Sequence, residues 1–249
     1  METIKTDIKR AIYSLPFITS CLSMVLTIAV GIGGKQLFPE EAARGLTPFY
    51  HANIIFQALQ SDIVLMVVPI ICAIPYTAAF LDEYKSGFIK PYLMKTHMEN
   101  YIKGKVLAAG LSGGLVLTFG ISIAYFLAYL VYSPMEIAAP EMVSPILQLI
   151  QKAMVFFLCG ALWASVGAML ANVSMSKYMA YASPFVIYYV LVILAERYFR
   201  SVYVINPKEW LSQYNNWPGG DWGVMLLVLL LTVPVMLVNA MVIKRKIES

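Results

Sequence analysis

Charge is what this chain has least of. Only 13% of its 249 residues are Asp, Glu, Lys or Arg, against 60% hydrophobic, about half the charged share of an ordinary soluble domain. The charges also gather in short stretches and leave long runs without any, the pattern of a chain that crosses a bilayer repeatedly. Such runs take up most of the length, which predicts one transmembrane domain over residues 1–249 and no sizeable soluble one.

Reactive side chains are scarce too. The three cysteines, Cys21, Cys72 and Cys159, each fall in an apolar run and read as small core residues, not as a disulfide framework. His51 and His97 stand far apart with no other ligands at metal-binding spacing, so no metal site is expected. A phosphate-cradling loop is missing. Gly34-Lys35 is followed by Gln36 and Gly104-Lys105 by Val106, and neither pair has the upstream glycine that motif needs. Glu40, Glu41 and Arg44 fall one residue short of the Glu-Glu-x-x-x-Arg signature of intramembrane prenyl-protein proteases, whose further histidine or asparagine ligands are missing as well. No catalytic constellation is visible.

Six uncharged runs are present, Phe17–Gly33, Ile63–Leu81, Val106–Tyr132, Ala153–Ala171, Tyr178–Ala195 and Gly223–Ile243. Each is near or above the ~20 residues a helix needs to cross the hydrocarbon core, which predicts an all-α membrane protein with six transmembrane helices. Pro69, Pro75, Pro184 and Pro234 predict kinks, since each removes a backbone donor. Before the first run, residues 1–15 lack the continuous apolar core of a signal peptide. Ile4, Ile8, Ile12 and Leu15 recur there at helical spacing, with Lys5, Lys9 and Arg10 off that stripe. This suits an amphipathic helix in the membrane interface, with Pro16 bending the chain into the first span; a frayed terminus is the plainer alternative.

With six spans both termini share a side with residues 82–105 and 172–177. That side holds 12 of the 18 basic residues, which predicts a multi-pass protein of the cell (cytoplasmic) membrane with both termini in the cytoplasm. On the other side, Phe49–Leu59 could rest on the membrane surface. Residues 196–222 carry Trp210, Tyr214, Trp217 and Trp222, suited to the headgroup layer either as a short interfacial or re-entrant helix or as plain anchors. Gly110 with Gly114, and Gly160 with Ala164 and Ala168, allow close helix packing without saying which helices meet. None of the six runs holds a titratable acid, lysine, arginine or histidine. Ion-driven carriers usually keep one on their path, so any energy source is expected outside this chain.

The segment Asp82–Lys105, between the second and third spans, resembles the intracellular loop of type-2 ATP-binding-cassette exporter permeases. That loop opens on an acidic residue, passes a Gly-Thr-like pair and a short helix, and returns through Tyr-x-x-x-Lys; Glu83, Gly87 and Tyr101–Lys105 stand in those places, with Phe88 where the family commonly has threonine. The layout of the whole chain is similar as well. The resemblance implies a cytoplasmic coupling helix that docks into an ATP-binding subunit. Charged rim contacts and apolar anchors would hold it, with Glu83, Lys95 and Glu99 as rim and Phe88, Tyr92 and Leu93 as anchors. A solvated basic loop is the plainer reading of the same residues.

The resemblance therefore implies the transmembrane subunit of an ATP-driven exporter. Its partners would be an ATP-binding-cassette ATPase subunit carrying ATP and Mg, a second permease chain in a homo- or heterodimer, and the lipid bilayer. No cofactor, no ATPase site of its own and no nucleic-acid partner are expected. Phe185, Tyr188 and Tyr189 on the fifth span would form an aromatic face on the substrate path, although bundle packing explains them equally well. An uncharged, aromatic-rich path suits amphipathic or lipophilic cargo such as a peptide, toxin or antimicrobial. An ion-coupled secondary transporter and a non-transport scaffold or sensor subunit are the alternatives.

Overall fold

A computed structural model describes residues 2–34, 45–94, 96–137 and 145–248. The described residues form helices, turns and one isolated bridge, without strands. In chain order the helices are α1 (Glu2–Ile12), α2 (Leu15–Ile32), α3 (Tyr50–Leu59), α4 (Asp62–Ile71), α5 (Ala79–Lys85), α6 (Ile89–Leu93), α7 (Met98–Tyr132), α8 (Ile146–Ser174), α9 (Lys177–Arg197), α10 (Pro207–Ser212) and α11 (Asp221–Glu248). Five of them, α2, α7, α8, α9 and α11, are long and apolar enough to cross a membrane, and the bent pair α3–α4 makes a sixth if it is one span.

The second of the expected crossings is where sequence and structure part. A continuous helix over Ile63–Leu81 is not formed: α4 ends at Ile71, residues 72–78 run through turns, and α5 resumes at Ala79. Pro75 is the reason, since it lies within those turns and carries no amide proton for the helical ladder, whereas Pro69 lies inside α4. Beyond Cys72 the chain tightens onto shorter bonds, Ala73 N to Ile70 O at 3.2 Å and Ile74 N to Ile71 O at 3.4 Å. Before this segment α3 and α4 meet at 68°, with Ser61 capping α4 through Val64 N. Pro184 and Pro234, like Pro69, sit within continuous helices.

Packing density comes from small residues. A Cβ on Gly113 would lie 2.4 Å from the Ala164 Cβ and 2.8 Å from the Gly160 carbonyl oxygen, and one on Gly160 would lie 2.6 Å from the Gly113 carbonyl oxygen. The backbones of α7 and α8 thus touch directly, the arrangement that lets helices associate where lipid removes the hydrophobic drive. Around this crossing lies the main core, with Met24, Ile28, Leu65, Val68, Leu117, Ile121, Phe156 and Tyr188 fully buried.

The two ends of the bundle differ. At one, α1 and the last turns of α11 gather with α5, α6 and the start of α7 around a second apolar cluster that includes Phe80, Ile89, Tyr101, Ile102 and Ile243. At the other, His51 at the start of α3 binds Glu136 through its amide and its Nδ1 (2.8 and 2.6 Å) and meets the Tyr125 hydroxyl at 3.2 Å, which ties α3 to the end of α7. There too a short helix forms inside 196–222: α10 buries Trp210 in a stack on Trp163 with ring centroids 6.2 Å apart.

Leucine at Gly113 or Gly160 is expected to cost at least the ~1–3 kcal/mol of core overpacking. This should lower the thermal midpoint of the detergent-solubilised protein, followed by tryptophan fluorescence. Leucine at Gly34, where a side chain meets nothing within 4 Å, should leave it unchanged; a wild-type midpoint in both core variants would mean that α7 and α8 do not cross this closely.

Candidate functional site

Charge reappears inside the bundle at the end occupied by α1. Lys105, one turn into the part of α7 that follows Tyr101, is 4% exposed, and Asp7 of α1 is 2% exposed. The ammonium has three protons and three oxygen partners. They are Asp7 Oδ1 at 2.8 Å, Glu83 Oε1 at 2.7 Å and the Tyr76 hydroxyl at 3.0 Å. The Tyr76 hydroxyl in turn donates to Asp7 Oδ1 (2.9 Å), and Tyr101 donates to Glu83 Oε2 (2.8 Å). The Tyr76 and Tyr101 rings lie 5.3 and 5.4 Å from the Lys105 nitrogen, within cation–π range. Arg10, half-exposed, reaches Glu83 at 3.5 Å and balances the second carboxylate.

Local sequence places each of these groups. On α1, residues 4, 7, 8 and 11 share one helical face, so Asp7 replaces an apolar residue in the middle of the stripe that Ile4, Ile8 and Ala11 form. It fits because the facing residue is Gly104, where a Cβ would lie 2.6 Å from Asp7 Oδ2. Tyr101 and Lys105 are one turn apart on α7 and point the same way. Tyr76 comes from the turns between α4 and α5, and Glu83 from α5 itself. Asp7 Oδ2 is left buried without a hydrogen-bond partner.

Such a network is costly to desolvate and is therefore weak as a source of net stability, whereas removing one partner from it is expensive. What it fixes is geometry. Glu83 and Lys105 are 22 residues apart in sequence and 2.7 Å apart in space, so the base of the intervening segment is closed by an ion pair. Asp7 joins the N-terminal helix to the same point, and Lys177 at the start of α9 pairs with Asp82 nearby.

The residues expected to dock a partner divide accordingly. Glu83 is held inside the network. Gly87 has φ +74° and turns the chain after α5, with the Phe88 amide donating to the Glu83 carbonyl at 3.1 Å, the left-handed helix end that favours glycine. Tyr92 and Leu93 are half-buried against the Ile89–Tyr101–Ile243 cluster, Tyr92 lying 5.5 Å from the Tyr101 ring. Phe88 is 41% exposed and Glu99 is exposed beside Lys103. Lys95 lies outside the described residues. The outward surface of the segment thus consists of Tyr84, Phe88, Lys90 and Met94, the last 85% exposed and not anticipated from sequence. On α9, Phe185 and Tyr189 stack at 5.9 Å near the surface while Tyr188 is buried against Trp163, so the three do not share one face.

Replacing Lys105 by methionine strands two carboxylates and is expected to cost about 3–5 kcal/mol, read as a fall in thermal midpoint. Asp7→Asn alone should cost less. The pair Asp7→Asn with Lys105→Met should cost less than the sum of the two singles, because contacting residues couple. Strict additivity would show that the two do not interact.

No protein-family model and no curated protein matches this chain, so the functional reading rests on the residues themselves.

Proposed function

We propose that this chain is the transmembrane subunit of an ATP-driven exporter that moves amphipathic or lipophilic cargo out of the cell, with ATP hydrolysed by a separate cassette subunit. The observation that carries this reading is the segment 83–105. Its base is closed by Glu83–Lys105, and its outer surface sets the exposed side chains Tyr84, Phe88 and Met94 among Lys85 and Lys90. Apolar and aromatic anchors within a basic rim suit a protein interface. A docked ATPase that pushed on α6 would act on a stiff lever, because the network ties that segment to α1 and α7. The half-exposed pair Phe185 and Tyr189 would then face a second permease chain.

A second reading has one specific observation in its favour. The buried Asp7, with an unpartnered oxygen beside Lys105, is a titratable group inside the bundle of the kind that ion-coupled carriers use.

The test is co-purification with the cassette ATPase of the same operon. Wild type should retain that protein, and the double variant Phe88→Asp, Met94→Asp should lose it while keeping its own thermal midpoint. If the wild type captures no cassette ATPase, and vesicles show substrate-dependent proton flux without ATP, the carrier reading replaces the exporter.

A further inference from the structure

At the end of the bundle opposite α1, a cavity of about 300 Å3 lies between the last turns of α9, the 3₁₀ turn Tyr203–Ile205 and α10. Its walls include Glu196, Phe199, Arg200, Tyr203, Asn206 and Glu209. We propose that this cavity binds an organic ammonium group, with Glu209 as its counter-charge.

Glu209 is the reason. It is only 9% exposed, and among the described residues its carboxylate accepts one hydrogen bond, from the Asn215 amide to Oε2 at 3.2 Å. Among the described residues no basic side chain pairs with it. Its neighbour Lys208 is taken by Asp62 at 3.1 Å and Glu196 at 3.6 Å. Burial disfavours the Lys208 ammonium, but its bond to Asp62 and the charges of Asp62 and Glu196 outweigh that and hold its pKa above the ordinary value. Arg200 is exposed and its Nε donates to the Glu196 carbonyl at 2.8 Å. A largely buried carboxylate that faces a cavity is stabilised by a cation placed beside it, and an ammonium ligand supplies one.

The rest of the cavity narrows the chemistry. Phe199 and Tyr203 supply aromatic walls, whose ring faces attract an ammonium. The Tyr203 ring is held edge-on by Trp217 at 5.1 Å, so it is already positioned. A hard divalent cation would want six or more oxygen ligands, and no cluster of three or more candidate ligands exists among the described residues. A space of about 300 Å3 is also far larger than one water needs, which suits an alkylammonium or a lysine-like side chain. This site does not depend on how the chain is energised, so its failure would leave the exporter reading intact.

The test uses the whole protein in detergent titrated with n-butylammonium and tetramethylammonium, with n-butanol as the uncharged control, followed by calorimetry. Saturable binding of the ammonium probes is expected, weakened at least ~10-fold by Glu209→Gln at unchanged thermal midpoint, as loss of a charge-assisted contact predicts. Arg200→Ala should bind as tightly or more so, because it removes a competing charge. Should Glu209→Gln not fold, Phe199→Ala decides, since that half-exposed ring is dispensable for packing and its loss should weaken binding several-fold. Butylammonium that binds no better than butanol, or a folded Glu209→Gln with wild-type affinity, overturns the proposal. So would a loss confined to Glu196→Gln.

Discussion

A lysine ammonium that has surrendered its water needs three acceptors at once, and in this protein they come from three separate stretches of chain. Asp7 arrives from α1, Tyr76 from the turns after α4, and Glu83 from the helix that follows them. Each would be misplaced without the others, because a lone buried charge is far less tolerable than a compensated set. The position of α1, the path of the turns after α4 and the closure of segment 83–105 all follow from satisfying Lys105. The apolar cluster around Tyr101 and Ile243 then packs α6 and the end of α11 onto the frame so defined.

The remainder of the bundle is organised by the opposite rule, the removal of side chains. Gly113 and Gly160 bring two backbones into contact at mid-bundle, while Gly104 performs the same service for a carboxylate. One helix therefore carries both devices, and α7, the longest element at 35 residues, is the spine against which α1, α2, α8 and part of α11 are set. The structure is regular along this spine and breaks into turns at residues 72–78, where Pro75 denies the backbone its usual ladder.

Hydropathy made the long crossings legible, since a run of some twenty apolar residues has few other uses. Proline content flagged the run Ile63–Leu81 without revealing which proline would interrupt it; Pro69, Pro184 and Pro234 belong to the same residue type as Pro75 and lie within helices. The charged site was harder to see. Counting charges within runs located none, because Lys105 stands one residue before the run at Val106 and Asp7 belongs to a segment read as interfacial. The signal was present in spacing: an acid centred in the Ile4–Ile8–Ala11 stripe has to find a cation. Which cation is a matter of tertiary packing, and Gly104 next to Lys105 is informative only once α1 is known to lie there. Exposure of Met94 and burial of Tyr92 depend likewise on how α6 folds back, which no local pattern specifies.

The separation of Asp7 from Lys105, 98 positions along the chain, bears on how the protein is made. At ribosomal speeds of ~5–20 residues per second, α1 would wait about 5–20 s between emerging and meeting its cation. During that interval the helix carries a carboxylate on its apolar side without its Lys105 partner, which would disfavour its burial in lipid. α1 is thus seated only after α7 has emerged, and its arrival closes a bundle to which α7 already belongs.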